Sequence, residues 1–377
     1  MFFKTFRWSF VVLLVGLGLA FWYDSAAGLA LVAILAVLEI SLSFDNAVVN
    51  ATVLVKMNDF WQKIFLTIGV VIAVFGMRLV FPLLIVGITA KLNPVEAVRL
   101  ALEKGDPEEP GTYGFLLNDA HPAIAAFGGA FLLMLFLDFV FEEKDIHWLT
   151  WLEKPLAKIG KLDALSVVVA LVVVALAGEF LAPDDKVGTV LLSGVLGTVT
   201  YLLVNGLGEL FDVEDDEEPT AGQAAGQIAL RTGKAAFFTF LYLEVLDASF
   251  SFDGVIGAFA ITSDPIIIAI GLGVGAMFIR SLTIFLVHHG TLSKFPHLEH
   301  GALWAIGALA TILIVSIEYE IPEVVTGLVG VAFIGLSLLT SIRYNRNHPD
   351  EDTEETVTAG TPAESTAATS AAPSKTV

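Results

Sequence analysis

Glu39-Ile-Ser-Leu-Ser-Phe-Asp45-Asn46 and Asp247-Ala-Ser-Phe-Ser-Phe-Asp253-Gly254 carry one pattern twice. In each, a carboxylate is followed by serines at +2 and +4, by phenylalanine at +5 and by aspartate at +6. Both stretches lie inside long apolar runs. A carboxylate in such a run costs roughly 2.5 kcal/mol or more to insert in a bilayer, so it marks a functional position by default. A costly pattern that occurs twice points to an internal repeat with a polar centre.

The surrounding composition agrees. The chain has 377 residues, 56% of them hydrophobic, and a mean hydropathy of +0.79. Soluble domains sit nearer about 45–50% apolar. The excess is organised in runs of the length that crosses a bilayer as a helix. Ten helices are expected, at 8–23, 27–55, 64–88, 122–141, 163–182, 187–211, 235–262, 265–288, 301–318 and 321–341. The fold class is therefore all-α, a polytopic transmembrane bundle over 1–345, in which the lipid bilayer is the first partner. Lys4 and Arg7 before an apolar stretch, with Ser25-Ala26-Ala27 after it, also fit a signal peptide.

With the N-terminus inside, cytoplasmic segments hold fourteen lysines and arginines, and outer loops hold only Lys91, Arg99, Lys104 and Lys186. That bias places both termini in the cytoplasm of a multi-pass cell-membrane protein. Residues 346–377 read as a disordered acidic tail, rich in Ala, Thr, Ser, Pro and Glu. The net charge of −20 comes largely from soluble-side acids, including Asp106, Glu108 and Glu109, Glu214 to Glu218 with Asp212, and the tail. These runs read first as solvated loops. The sharper reading is a field that concentrates cations near a pore mouth. No basic stripe exists, which argues against a nucleic-acid partner. No cysteine exists either, so thiolate sites and disulfides are excluded.

The two motifs fall on the second and seventh helices, an odd offset of five, so their chain directions oppose. The helices that follow match too: Gly69-Val-Val-Ile-Ala-Val-Phe-Gly-Met-Arg78 and Gly271-Leu-Gly-Val-Gly-Ala-Met-Phe-Ile-Arg280 each place an arginine nine residues after a glycine. Helices 2–4 and 7–9 thus form inverted three-helix repeats, within 27–141 and 235–341.

On a regular helix Glu39, Ser43, Asn46 and Asn50 share one face, while Ser41 and Asp45 share another. Polar groups on two sides require a central helix or local unwinding near Asp45. The candidate metal-site residues are Glu39, Asp45, Asn46, Glu244, Asp247 and Asp253, supported by Ser43, Asn50 and Ser251. Arg78 and Arg280 are the candidate counter-charges. The plainer alternatives are carboxylates that fix helix register against those arginines, and serines that bond their own helix. Every donor is oxygen, which suits Mn²⁺, Ca²⁺ or Mg²⁺ as a transported ion; no prosthetic group is expected. A cation that displaces carboxyl protons would be coupled to proton movement the other way. His288, His289, His297 and His300, with Glu299, resemble a metal sensor by spacing alone.

These motifs, with Phe127-Gly-Gly-Ala-Phe-Leu-Leu-Met-Leu-Phe-Leu-Asp138, resemble the TerC family of integral membrane proteins. The resemblance falls on its branch long labelled as of unknown function, in the LysE-like transporter group. It implies an inverted-repeat exporter of manganese, in a family named for tellurite resistance. The family's metal-site acids fall on Glu39, Asp45, Asp247 and Asp253, with Asn46 beside the first aspartate. The chain departs in having Gly254 opposite Asn46, an added Glu244, and more than seven helices. Two other functions stay open. One is a scaffold in a metal or tellurite stress complex, with unidentified or homo-oligomeric partners. The other is an intramembrane aspartyl protease, which the Phe44 and Phe252 preceding both aspartates disfavour. No enzyme is expected.

Overall fold

The computed structural model describes residues 2–103, 105–144, 146–162, 164–215, 231–288 and 294–347. The expected tail disorder, most of the acidic run after Asp215, and His289 lie outside the described residues. The side chains of Asp45 and Asp253 do too, although both backbones are helical.

Among the described residues twelve helices make up the fold. They are α1 (Phe2–Leu42), α2 (Phe44–Leu54), α3 (Asp59–Ile88), α4 (Pro94–Leu102), α5 (Tyr113–Phe141), α6 (Thr150–Ile159), α7 (Leu165–Phe180), α8 (Val187–Asp215), α9 (Gly233–Ile261), α10 (Pro265–His288), α11 (Leu298–Val315) and α12 (Glu323–Asn347). Among the described residues there is no β-strand, only a lone bridge between Met57 and Arg231.

Eight of these helices are long and apolar enough to cross a membrane, and α7 is a shorter apolar helix. At 41 residues α1 would run about 60 Å if straight, twice the apolar thickness of a bilayer. It is not straight. Asp24 and Ser25 leave helical geometry, with Ser25 at φ 54°, ψ −145°. The contacts on α10 show that the chain reverses there. Phe6 packs on Phe278 and Phe285, and Ser9 bonds Met277 O and Ser281. Past the reversal, Gly28 faces Ile267, Leu35 faces Gly271 and Glu39 faces Gly275. The first arm is therefore antiparallel to α10 and the second parallel to it. Counting two arms, and α7, the described residues offer ten candidate crossings, as the apolar runs predict.

About two thirds of the apolar window of α5, α9, α10 and α11 is buried in the protein, against about a quarter for α1, α3, α8 and α12. The first four form the inside of the bundle and the others its apolar rim. Two packed clusters fill the interior. One runs from Val48 and Leu54 through Phe131, Leu246 and Ile306; the other joins Val32 and Leu35 to Leu117, Val255 and Leu272. Along both motif helices the polar segment lies between these two clusters.

The first motif shows the local unwinding near Asp45 that its two polar faces call for, and two further local features escape the sequence pattern. α1 ends at Leu42 and α2 begins at Phe44, so the first motif sits on a break at Ser43 (φ −99°, ψ 17°), whereas α9 runs unbroken through the second. α3 contains two π-helical stretches, Phe65–Gly69 and Ile72–Val80. Such wide turns are uncommon and collect at functional positions. α6 is a short helix with no membrane-spanning role, and the apolar-run reading places nothing there. The outer connection carries α4, where Asn93 caps the amide of Glu96 and Pro94 opens the first turn.

Candidate functional site

The two motif helices pack antiparallel. Glu39 faces Gly254, Asn46 and Asn50 reach Asp247, and Trp61 stacks near Phe237 and Phe240. Residue numbers rise on one helix as they fall on the other. The arginine helices do the same: Arg280 lies over the Phe65 ring, 3.9 Å from its centroid, while Gly273 faces Val74.

Within this frame each repeat makes the same ion pair. Arg78 Nη2 donates to Glu39 Oε1, and Arg280 Nη2 donates to Asp247 Oδ2. All four side chains are buried. The π-helical register of α3 assists Arg78, whose Nη1 donates to Ala73 O at 2.6 Å, five residues back. An isolated charge in apolar surroundings costs several kcal/mol, so each carboxylate needs such a partner.

The repeats then diverge. Asp247 Oδ1 accepts two amides from the other repeat, Asn46 Nδ2 at 2.9 Å and Asn50 Nδ2 at 2.8 Å. Glu39 receives Ser43 Oγ at 3.0 Å from its own turn. The residue matching Asn46 is Gly254, and a β-carbon there would lie 3.1 Å from Glu39 Oε2. A side chain at that position would crowd the carboxylate, which explains the glycine. Ser41 and Ser249 bond their own helices, at Val37 O and Val245 O, as the plain reading of the serines expects. Ser251 Oγ and Asn50 Oδ1 are buried without a hydrogen-bond partner among the described residues.

Glu39, Ser43, Asn46, Arg78, Asp247, Ser251 and Arg280 line a small cavity of about 10 Å³, with Ala73, Met77, Ala276 and Ile279 on its apolar side. That is near the smallest space that holds one water-sized occupant. Glu39 and Ser43 also line a second cavity, of about 1210 Å³, with Asp106, Glu108, Asn118, His121 and Glu320. This vestibule connects the α4–α5 side of the bundle with Glu39. Its residues come from a loop and several helix ends. Of them, Asp106 and Glu108 belong to the acidic run that the sequence offers as a cation-concentrating field; Asn118, His121 and Glu320 carry no such signal in the sequence.

Among the described residues no three acidic or histidine side chains converge as a metal cage. The expected shared cage is therefore not assembled from Glu39, Glu244 and Asp247. Two of these acids are turned to arginines, and Glu244 is not among the residues lining the small cavity. The histidine group also disperses. His300 Nδ1 lies 3.2 Å from Glu153 Oε1, and His297 Nδ1 lies 3.3 Å from Thr340 Oγ1. Glu153 further accepts Trp304 Nε1 at 3.0 Å and the Trp148 amide at 3.1 Å, which ties α6 to α11. Asp138 accepts Tyr201 OH at 2.7 Å, a packing role.

A bundle of apolar crossings around buried, arginine-paired carboxylates defines a multi-pass membrane protein. More particularly, the chain belongs to the family described as "Protein of unknown function (DUF475)", whose profile matches residues 44–348. It is also similar to "Uncharacterized membrane protein YceF" of Bacillus subtilis (strain 168), 28% identical over 131 residues, covering 34% of this chain. The chain spans about half the length, 50%, of that curated relative. No solved structure matches.

Proposed function

We propose that the protein moves a hard divalent cation, Mn²⁺ first among Mn²⁺, Ca²⁺ and Mg²⁺, across the cell membrane by alternating access. Export with proton exchange, and both termini in the cytoplasm, belong to the same reading. The observation that carries it is the double exposure of Glu39. This carboxylate borders both the acid-lined vestibule and the small polar cavity that holds Asp247. An exported ion would meet Asp247 first and Glu39 and Ser43 next, with Asn46 and Ser251 beside it, and would leave past Asp106, Glu108 and Glu320. Asp45 and Asp253, six residues further along each motif, are the remaining candidate ligands. All offer oxygen, the donor that such ions prefer.

Arg78 and Arg280 keep the empty centre neutral, and an arriving cation competes with them for the same carboxylates. Such competition favours a site that releases its ion, as transport needs.

The test is Mn²⁺ flux into proteoliposomes with an imposed pH gradient. The wild-type chain should carry Mn²⁺, and Asp247→Asn should lose at least nine tenths of the rate. Asp106→Asn with Glu108→Gln should slow passage through the vestibule several-fold at low ionic strength and much less at high salt, because exposed charges act through a screened field. Absence of divalent flux in the wild-type protein would sink the proposal.

A further inference from the structure

Glu244 is the acid that the inverted symmetry does not explain. It lies three residues before Asp247, one helical turn away; the matching position before Glu39 is Ala36. Its side chain is buried, 5% exposed, and neither carboxyl oxygen has a hydrogen-bond partner among the described residues. An unsatisfied buried carboxyl group is costly and asks for a purpose.

Its neighbourhood supplies one. A β-carbon on Gly69 would lie 2.6 Å from Glu244 Oε1 and 3.5 Å from Arg280 Nη1, so both groups reach into the space that this glycine leaves open. Arg280 Nη1 is itself unpartnered among the described residues. The guanidinium spends Nη2 on Asp247 and, at 3.4 Å, on Gly69 O. An unfilled donor and two unfilled acceptor oxygens thus sit beside one another, on either side of a gap kept by a glycine. The Phe65 ring beneath the guanidinium offers a flat face across which the planar group can turn while remaining over π-density.

We propose that Glu244 is the alternative seat of Arg280. When a divalent cation takes Asp247, the arginine leaves that carboxylate and pairs with Glu244. The inference rests on the transport reading above and assigns Glu244 a positioning role, in place of ion ligation. It accounts for three facts together: the acid lies off the small cavity, it lacks partners, and Gly69 stands where any side chain would fill the exchange space. Arg78 has no such alternative, because Ala36 occupies the matching position. Only one half of the centre can then release its arginine without stranding a buried charge. The ion would be held more firmly on the Asp247 side than on the Glu39 side.

The experiment is Mn²⁺ titration of the purified full-length protein by calorimetry, in the wild type and in Glu244→Gln, Glu244→Met, Arg280→Gln and the double variant Glu244→Gln/Arg280→Gln. Glu244→Gln and Glu244→Met should each weaken Mn²⁺ binding at least tenfold, since Arg280 then stays on Asp247. In the Arg280→Gln background Glu244→Gln should change nothing, because no arginine remains to be seated. A purely structural Glu244 would weaken binding equally in both backgrounds, and that result overturns the proposal. Unchanged affinity in a folded Glu244→Gln protein also overturns it, while leaving transport intact. A wild-type chain that binds none of Mn²⁺, Ca²⁺ and Mg²⁺ would remove the transport reading and this exchange together.

Discussion

Breaking the Glu39–Arg78 pair and then deleting it whole should have opposite effects. Both side chains are nearly enclosed, Arg78 6% and Glu39 2% exposed, and among the described residues Arg78 makes one other hydrogen bond, to Ala73 O. Glu39→Gln leaves a guanidinium without a counter-charge in apolar surroundings, and Arg78→Met leaves a carboxylate in the same state. Either stranded charge should cost about 3–5 kcal/mol of unfolding free energy, the usual penalty for removing one partner of a buried pair. The double variant strands nothing, so it should be near neutral, with a coupling of about 3 kcal/mol or more across the cycle. Mn²⁺ flux should follow a different pattern: Glu39→Gln and the double variant should both lose it, because the ligand is gone in each. Equilibrium unfolding in detergent gives the first readout and proteoliposome flux the second. A coupling below about 1 kcal/mol would refute the buried ion pair, since exposed pairs reach only such values. A double variant with wild-type flux would refute Glu39 as a ligand.

Two further outcomes follow from contacts away from the centre. Burial pushes the Glu153 carboxyl up, but hydrogen bonds from His300 and Trp304 and the His300 charge outweigh it and hold it down at about 2. A depressed carboxylate stabilises the fold above its ordinary value near 4.5 and loses that contribution as pH falls toward about 2, so amide protection in α6 should be level above pH 5 and drop steeply across that window. Protection that stays level to pH 2 would show that Glu153 does not anchor α6. At Gly197, a β-carbon would overlap the Phe127 carbonyl oxygen, and backbone cannot yield as a side-chain tip can. Gly197→Ala should therefore cost about 1–3 kcal/mol, whereas Gly188→Ala, with nothing within 4 Å, should be neutral or slightly stabilising. Equal melting temperatures for the two variants would contradict the close packing of α8 on α5.

The crossings were legible because a bilayer imposes one simple demand, a long apolar run, and the chain meets it ten times. The opposed direction of the repeats was legible by parity: two like motifs separated by an odd offset in helix order, here the second and the seventh, must run in opposite directions. Features that depend on neighbours were not. α6 carries Trp151, Lys154 and Lys158 outward, with Glu153 and Ala157 buried and Leu156 partly buried against the core, too narrow a face to register as a run. The π turns of α3 leave no mark in a pattern of Val, Ile and Phe that suits any helix. Arg78 and Arg280 could be named as counter-charges, but the sequence gives no means of choosing among five carboxylates.

That choice matters more than the motif itself. The duplicated sequence suggests two equal halves, and two equal halves would hold an ion equally from both sides. The structure makes them unequal at the positions where the copies differ. Asn46 and Asn50 both donate to Asp247, while Gly254, the counterpart of Asn46, is held bare by Glu39. Glu244 adds an acid beside Arg280 that Ala36 denies to Arg78. Each departure from the repeat strengthens or frees the Asp247 side, and each leaves the Glu39 side with a single arginine, a serine and an open vestibule. On the proposed transport reading, an ion bound between such halves would be released more easily toward the vestibule than away from it, and the mismatches between the two copies would set the preferred direction of release.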